Sequence, residues 1–140
     1  MGKPDGQELP FLLEDSAPAW ARHSGGPGHD GPDWEATDLD RAVAYYEALS
    51  PTARMIFDHL RATPGRRVSC DELVRRFGLN PDGTKNNPHV VAGHMNTTGR
   101  ARKESGRRYP FFWWAGKDGV GATYAVRRSV AEIFESALKA

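Results

Sequence analysis

Cysteine is almost missing from this chain. Cys70 stands alone, so no internal disulfide can close and no cysteine-rich zinc site can form. Such usage agrees with a reducing compartment. Long apolar runs are missing as well, none approaching the roughly 18 residues that a membrane span requires, and no membrane insertion is expected. The only apolar patch near the N-terminus is Pro10-Phe11-Leu12-Leu13, with acids on both sides. That is unlike a signal peptide, and the cytoplasm is the expected address. Catalytic signatures are missing too: there is no P-loop, no G-x-S-x-G, no HExxH and no dinucleotide fingerprint after a strand. Asp and Glu show no paired spacing suited to general acid and base work. Histidines such as His23 and His29 lack cysteine partners and offer only a weak metal pattern. The expectation is a protein that is not an enzyme and takes no cofactor and no metal.

Basic residues are scarce in one part of the chain only. Residues 1–40 hold Lys3 and Arg22 against nine acids, 2 − 9 = −7, whereas residues 41–140 hold 17 Lys plus Arg against nine Asp plus Glu, a net of +8 within an overall +1. A split of this kind points to nucleic-acid binding by one part and an acidic tail in the other. Branched apolar residues are also scarce over the first 36 positions, where Gly, Pro, Asp and Ser dominate and HSGGPGHDGPD is the most biased run. Burial there could not offset the backbone entropy of ordering, so residues 1–36 are expected to be a disordered acidic tail. Phe11, Trp20 and Trp34 are the exceptions, either solvated or docked on the domain or a partner. Residues 37–140 then make one domain, a length that suits a single core.

What the domain does contain is periodic. Leu39, Ala42, Val43, Tyr46 and Leu49 recur at helical spacing after Thr37, and Ser50-Pro51 restarts the pattern with a serine N-cap and proline at the first turn. Ala53, Ile56, Phe57 and Leu60 share one face up to Thr63-Pro64-Gly65. Arg66 to Ser69 reads as a brief extended segment. Ser69 or Asp71 caps the next helix, whose apolar side is Leu73, Val74 and Phe77 and which closes at Gly78. Cys70, at that helix start, is either a reactive thiol or a small buried hydrophobe. A turn-rich loop over Asn80–Asn86 follows. Arg108–Trp114 and Ala122–Val126 read as the strands of a hairpin with a flexible tip carrying Lys117, and Val130, Ile133, Phe134, Ala137 and Leu138 as a terminal helix.

Lys85 to Arg108 grows steadily more basic. Asn87 is the expected N-cap, with Pro88 in the first helical position, and Val91, Met95 and Thr98 fall on one side while His89, Asn96, Arg100 and Lys103 gather on the other. Such an element has an apolar back and a face of donors suited to base edges and phosphates. Gly93 and Gly99 each cost about 1 kcal/mol of helix propensity relative to alanine, and a break is expected near Gly99. Asn86, His89 and Asn96 are then the candidates for reading bases. Arg100, Arg102, Lys103, Arg107 and Arg108, five cations within nine residues, are the candidates for gripping phosphate. In the hairpin, alternation sends Phe111 and Trp113 to one face and Phe112 and Trp114 to the other; one pair fills the core and the other needs a cover from a dimer partner, a helix or the tail.

Helix, short strand, helix, turn, helix, two-stranded hairpin, helix is an order that resembles winged helix-turn-helix domains. The run SPTARMIFDHLRATPGRRVSCDELVRRFGL resembles the first helix, first strand and second helix of that superfamily. VAGHMNTTGRARKESGRRYPFFW, with the later TYAV and VAEIF, is similar to small bacterial winged-helix proteins of unassigned function. The resemblance covers about Ser50 to Val126 and implies a mainly α fold with a small β-hairpin (α+β), extended by an extra N-terminal and a C-terminal helix. It further implies double-stranded DNA as partner, Lys85 to Lys103 as the major-groove element and Trp114 to Val120 as the wing on the backbone. The implied role is a transcriptional regulator, nucleoid-associated if it binds DNA; whether it forms a homodimer stays open at this point. The alternative is a winged-helix module that binds a protein partner through its aromatic hairpin.

Overall fold

Three helices begin in this chain where the side-chain oxygen of the preceding residue takes up a free backbone amide. A computed structural model describes residues 12–116 and 122–139. Helix α1 (Leu39–Glu47) starts after Asp38, and α2 (Pro51–Ala62) starts after Ser50, whose hydroxyl accepts the amide of Ala53 at 3.2 Å. Ser69 accepts the amide of Glu72 at 3.0 Å and opens α3 (Cys70–Phe77) directly after strand β1 (Val68–Ser69). Gly78 ends α3 in the left-handed region, with φ of 61°, where a Cβ would be strained. Then come α4 (Asn87–Asn96), α5 (Gly99–Ser105), β2 (Phe112–Trp114), β3 (Thr123–Ala125) and α6 (Arg128–Lys139). The described residues are thus mainly helical with one small antiparallel sheet, ordered β1-β3-β2, in which Val68 faces Tyr124 and Phe112 faces Ala125. None of the helices described is long and apolar enough to cross a membrane.

Tyr45 from α1, Ile56, Phe57 and Leu60 from α2 and Phe134 from α6 fill the centre, and the Phe57 and Phe134 rings meet edge to face at 4.8 Å. Leu73, Val74, Val91 and Met95 extend this core between α3 and α4. The hairpin alternates as expected. Phe111 and the half-buried Trp113 pack on the main core, while Phe112 and Trp114 form a second cluster on the other face.

That second face is closed by the segment expected to be disordered. Residues 12–36 pack on the domain, which corrects the expectation over that range; residues 1–11 lie outside the described residues. Leu13 and Trp20 join Phe112, Trp114 and Ala125, and Trp34 enters the main core between Tyr45 and Phe134. Two short 3-10 turns, Pro18–Arg22 and Pro27–His29, shape the path. Backbone bonds then tie the segment along the outer side of β2: Ser24 N–H to Trp113 O at 2.7 Å, Tyr109 N–H to Gly28 O at 3.0 Å and Arg108 N–H to Pro32 O at 2.9 Å. At its start Asp15 accepts the first amides of α6, from Arg128 and Ser129, a carboxylate where the helix dipole favours one. Composition argued for disorder because it averages over the segment. Three large anchors at Leu13, Trp20 and Trp34 bury more than the average suggests, and an open strand edge supplies the backbone partners.

Gly65 shows how close this approach is. Its φ is 85°, and a Cβ there would run into the carbonyl oxygen of Leu13, while the Leu13 amide donates to Gly65 O at 2.8 Å. Gly65→Ala should cost on the order of 1–3 kcal/mol, measured as a lowered denaturation midpoint, and should strip hydrogen-exchange protection from the Leu13 amide.

Candidate nucleic-acid interface

The loop before α4 is built from asparagines that hold the helix in place. The Asn80 side-chain amide donates to Lys85 O at 2.7 Å and to Asn87 Oδ1 at 3.0 Å, and Asn87 in turn donates to Asp71 Oδ1 at 2.8 Å. The first turn of α4 is therefore clamped to the first turn of α3. The N-cap is Asn86, one residue earlier than the sequence suggested, with its Oδ1 accepting the His89 amide at 2.7 Å. Asn86 is thus committed by its oxygen to the helix and keeps only its NH2 to offer a base edge.

Val91 and Met95 are buried beneath α4, and Thr98 is buried at the turn that follows. His89 and Asn96 are exposed on the outer side. The helical path breaks at Thr97-Thr98, as the glycine at 99 foretold. Both hydroxyls donate one turn back, Thr97 to His94 O and Thr98 to Met95 O, each at 2.6 Å, which competes with a regular ladder. Helix α5 then restarts at Gly99 and ends at Gly106, where φ is 71°. Beside α4 a hollow of about 350 Å³ is bordered by Lys85, His89 and His94.

The five clustered cations do not act together. Arg100 and Lys103 are exposed on α5, next to the exposed acid Glu104. Arg102 lies over the Tyr109 ring at 5.7 Å. Arg107 grips Asp38 through Nε at 2.7 Å and Nη2 at 3.1 Å, with both side chains largely buried. Its guanidinium holds the Asp38 carboxyl below the usual carboxylate range. Arg108 is half-buried and donates from Nε to Gly31 O at 3.0 Å. The Arg107 guanidinium and the Arg108 Nε are therefore taken up inside the fold. Their partners come from residues 31–38, a part of the chain that spacing along the sequence cannot place. Lys85 is exposed in the loop, and Lys117, with the hairpin tip, lies outside the described residues.

Two exposed arginines escaped the sequence reading. Arg75 and Arg76 occupy the last turn of α3, the helix to which α4 is clamped. Their only signal was adjacency before Gly78, which a helix C-terminus explains by itself. Cys70 is buried, and burial pushes its thiol up to about 11, so it behaves as a small hydrophobe and not as a thiolate nucleophile. In the first turn of α3, Glu72 accepts from both Arg66 and His59, contacts that hold its carboxyl below the ordinary value, the Arg66 bonds most of all. Among the described residues no three His, Cys, Asp or Glu side chains converge as metal ligands would.

Fold and site together define a small α+β domain that presents one capped helix with a polar outer face, continued by an exposed basic turn. Residues 39–140 match the model of a family of unknown function (DUF6416), and the chain belongs to that family. The matched part begins at α1, so the segment of residues 12–38 that closes the hairpin lies outside it. No curated protein and no solved structure matches the chain.

Proposed function

We propose that this protein is a non-enzymatic, winged-helix type DNA-binding protein, acting in transcription regulation, with α4 in the major groove and the β2–β3 hairpin against the backbone. One observation carries the reading: a helix clamped on α3, buried through Val91 and Met95, turns His89 and Asn96 outward and leads into exposed Arg100 and Lys103. Asparagine has the donor and acceptor pair that suits adenine, and the two cations suit phosphate. The sheet order β1-β3-β2, with the hairpin following the basic helix, is in keeping with that reading. A protein-contact module working through the aromatic hairpin has less in its favour, because Leu13 and Trp20 already cover Phe112 and Trp114.

Fluorescence anisotropy with a labelled duplex at 50 and 200 mM salt tests the proposal. Binding at the lower salt should weaken by at least about tenfold at the higher, as the release of two or more counterions requires. Absence of binding at 50 mM salt would defeat it.

A further inference from the structure

His23 and His29 take no part in the proposed DNA contact, yet their rings lie 4.5 Å apart within the segment that closes the hairpin. His29 is 8% exposed, and its Nε2 meets Phe111 O at 2.6 Å. A carbonyl only accepts, so Nε2 carries the proton and Nδ1 bears a lone pair. That Nδ1 is buried and has no hydrogen-bond partner. In His23 the Nδ1 accepts the Gly25 amide at 2.9 Å, so it too is unprotonated at that atom. Both Nδ1 atoms crowd the space over Gly25, where a Cβ would collide with His29 and come to 3.0 Å from His23 Nδ1. The pair fits only as two neutral rings.

Groups around the pair reinforce that requirement. Tyr109 and Phe112 pack their rings on His29, and Phe112 meets His23 edge to face at 5.0 Å. Arg108, held on Gly31 O, contributes a positive charge to both histidines, and Asp30 a negative one to His29. Arg127 lies over the Phe112 ring at 5.2 Å, its charge met by Asp33. A proton on either Nδ1 would find no acceptor, and the His23 proton would break the bond from Gly25.

We propose that His23 and His29 form a proton-sensitive latch, holding residues 12–32 on the outer side of β2 while both rings are neutral and releasing them on acidification. The inference stands apart from the DNA reading. Burial lowers the pKa of both histidines, with Arg108 adding to it, against the opposing effects of the Phe111 bond and Asp30 at His29. In the released segment both return to the ordinary value of about 6.5. The released form therefore binds more protons as pH falls below about 6.5. The docking constant drops by up to tenfold per pH unit for each histidine, and levels off below the docked pKa values. Release uncovers Phe112 and Trp114 and frees the Arg108 Nε, while Trp34 keeps its own seat in the main core.

Indole N–H signals of the ¹⁵N-labelled full chain report each part separately, because the Trp20 ring packs on Phe112 and Trp114 at 5.1 and 5.5 Å, Trp114 donates to Ala19 O and Trp34 to Arg108 O. Between pH 7.5 and 5.0 the Trp20 and Trp114 signals should move to free-indole positions, with Trp34 and the amides of α2 and α6 unchanged. His23→Gln should dock at pH 7.5 and respond with at most tenfold per pH unit instead of up to a hundredfold. His29→Gln can still donate to Phe111 O and should be reduced likewise; if it fails to dock at any pH, the His23→Gln result decides. Unmoved Trp20 and Trp114 signals, loss of α2 and α6 together with them, or an undiminished response in a docked variant would each overturn the latch.

Discussion

Trp34→Ala is expected to destabilise the protein by about 3–5 kcal/mol, seen as a large drop in the urea midpoint with little change in slope. The indole is 7% exposed, meets Phe134 at 5.1 Å and Tyr45 at 6.1 Å, and donates to Arg108 O at 2.7 Å. Truncation therefore opens a cavity in the main core and leaves a part-buried carbonyl short of its donor. Trp34 lies ahead of the family-matched residues 39–140, so the size of the loss measures how far the preceding segment belongs to the folding unit. A change below about 1 kcal/mol, the range of ordinary surface substitutions and mild repacking, would place Trp34 outside the core. Trp20→Ala is a useful contrast. Trp20 belongs to the outer cluster with Phe112 and Trp114, and its truncation should loosen residues 12–32 with less effect on the midpoint.

Arg100→Ala with Lys103→Ala should lower affinity for duplex DNA roughly thirtyfold near 0.15 M salt, since each lost phosphate contact removes a factor of about [salt] to the power 0.9. The slope of log affinity against log salt should shrink by about two units, one for each contact. Unchanged slope in the folded double variant would remove α5 from the interface. Arg107→Ala separates charge from position. Its guanidinium is spent on Asp38, so its loss should lower stability, and lower it less in acid, because the depressed Asp38 pKa makes the pair's contribution present above the ordinary carboxylate range and lost as pH falls through the folded value. The salt slope should stay as it was.

Local rules carried the sequence reading a long way. Ser50-Pro51 and Ser69 cap helices because their hydroxyls reach an amide three residues on, and Gly78 ends a helix because glycine enters the left-handed region without strain. Val91, Met95 and Thr98 were placed inward and His89, Asn96, Arg100 and Lys103 outward by a period of 3.6 alone, and the break before Gly99 by propensity. Each of these depends on residues within one turn of each other, which is information the sequence holds in order.

Residues distant in the chain were another matter. Five cations within nine positions looked like one patch, and the fold divides them: Arg100 and Lys103 face solvent, whereas Arg107 and Arg108 are taken up by Asp38 and Gly31, 69 and 77 residues away. The same long-range pairing turned a segment expected to be disordered into the cover of a sheet edge, because Leu13, Trp20 and Trp34 meet surfaces that exist only after the hairpin and helices have assembled. Sequence by itself determined the main elements, several of their ends and the two faces of α4. Only the tertiary structure decided which charges remain free and where residues 12–36 go, since ion pairing and burial depend on distance in space and not on distance along the chain.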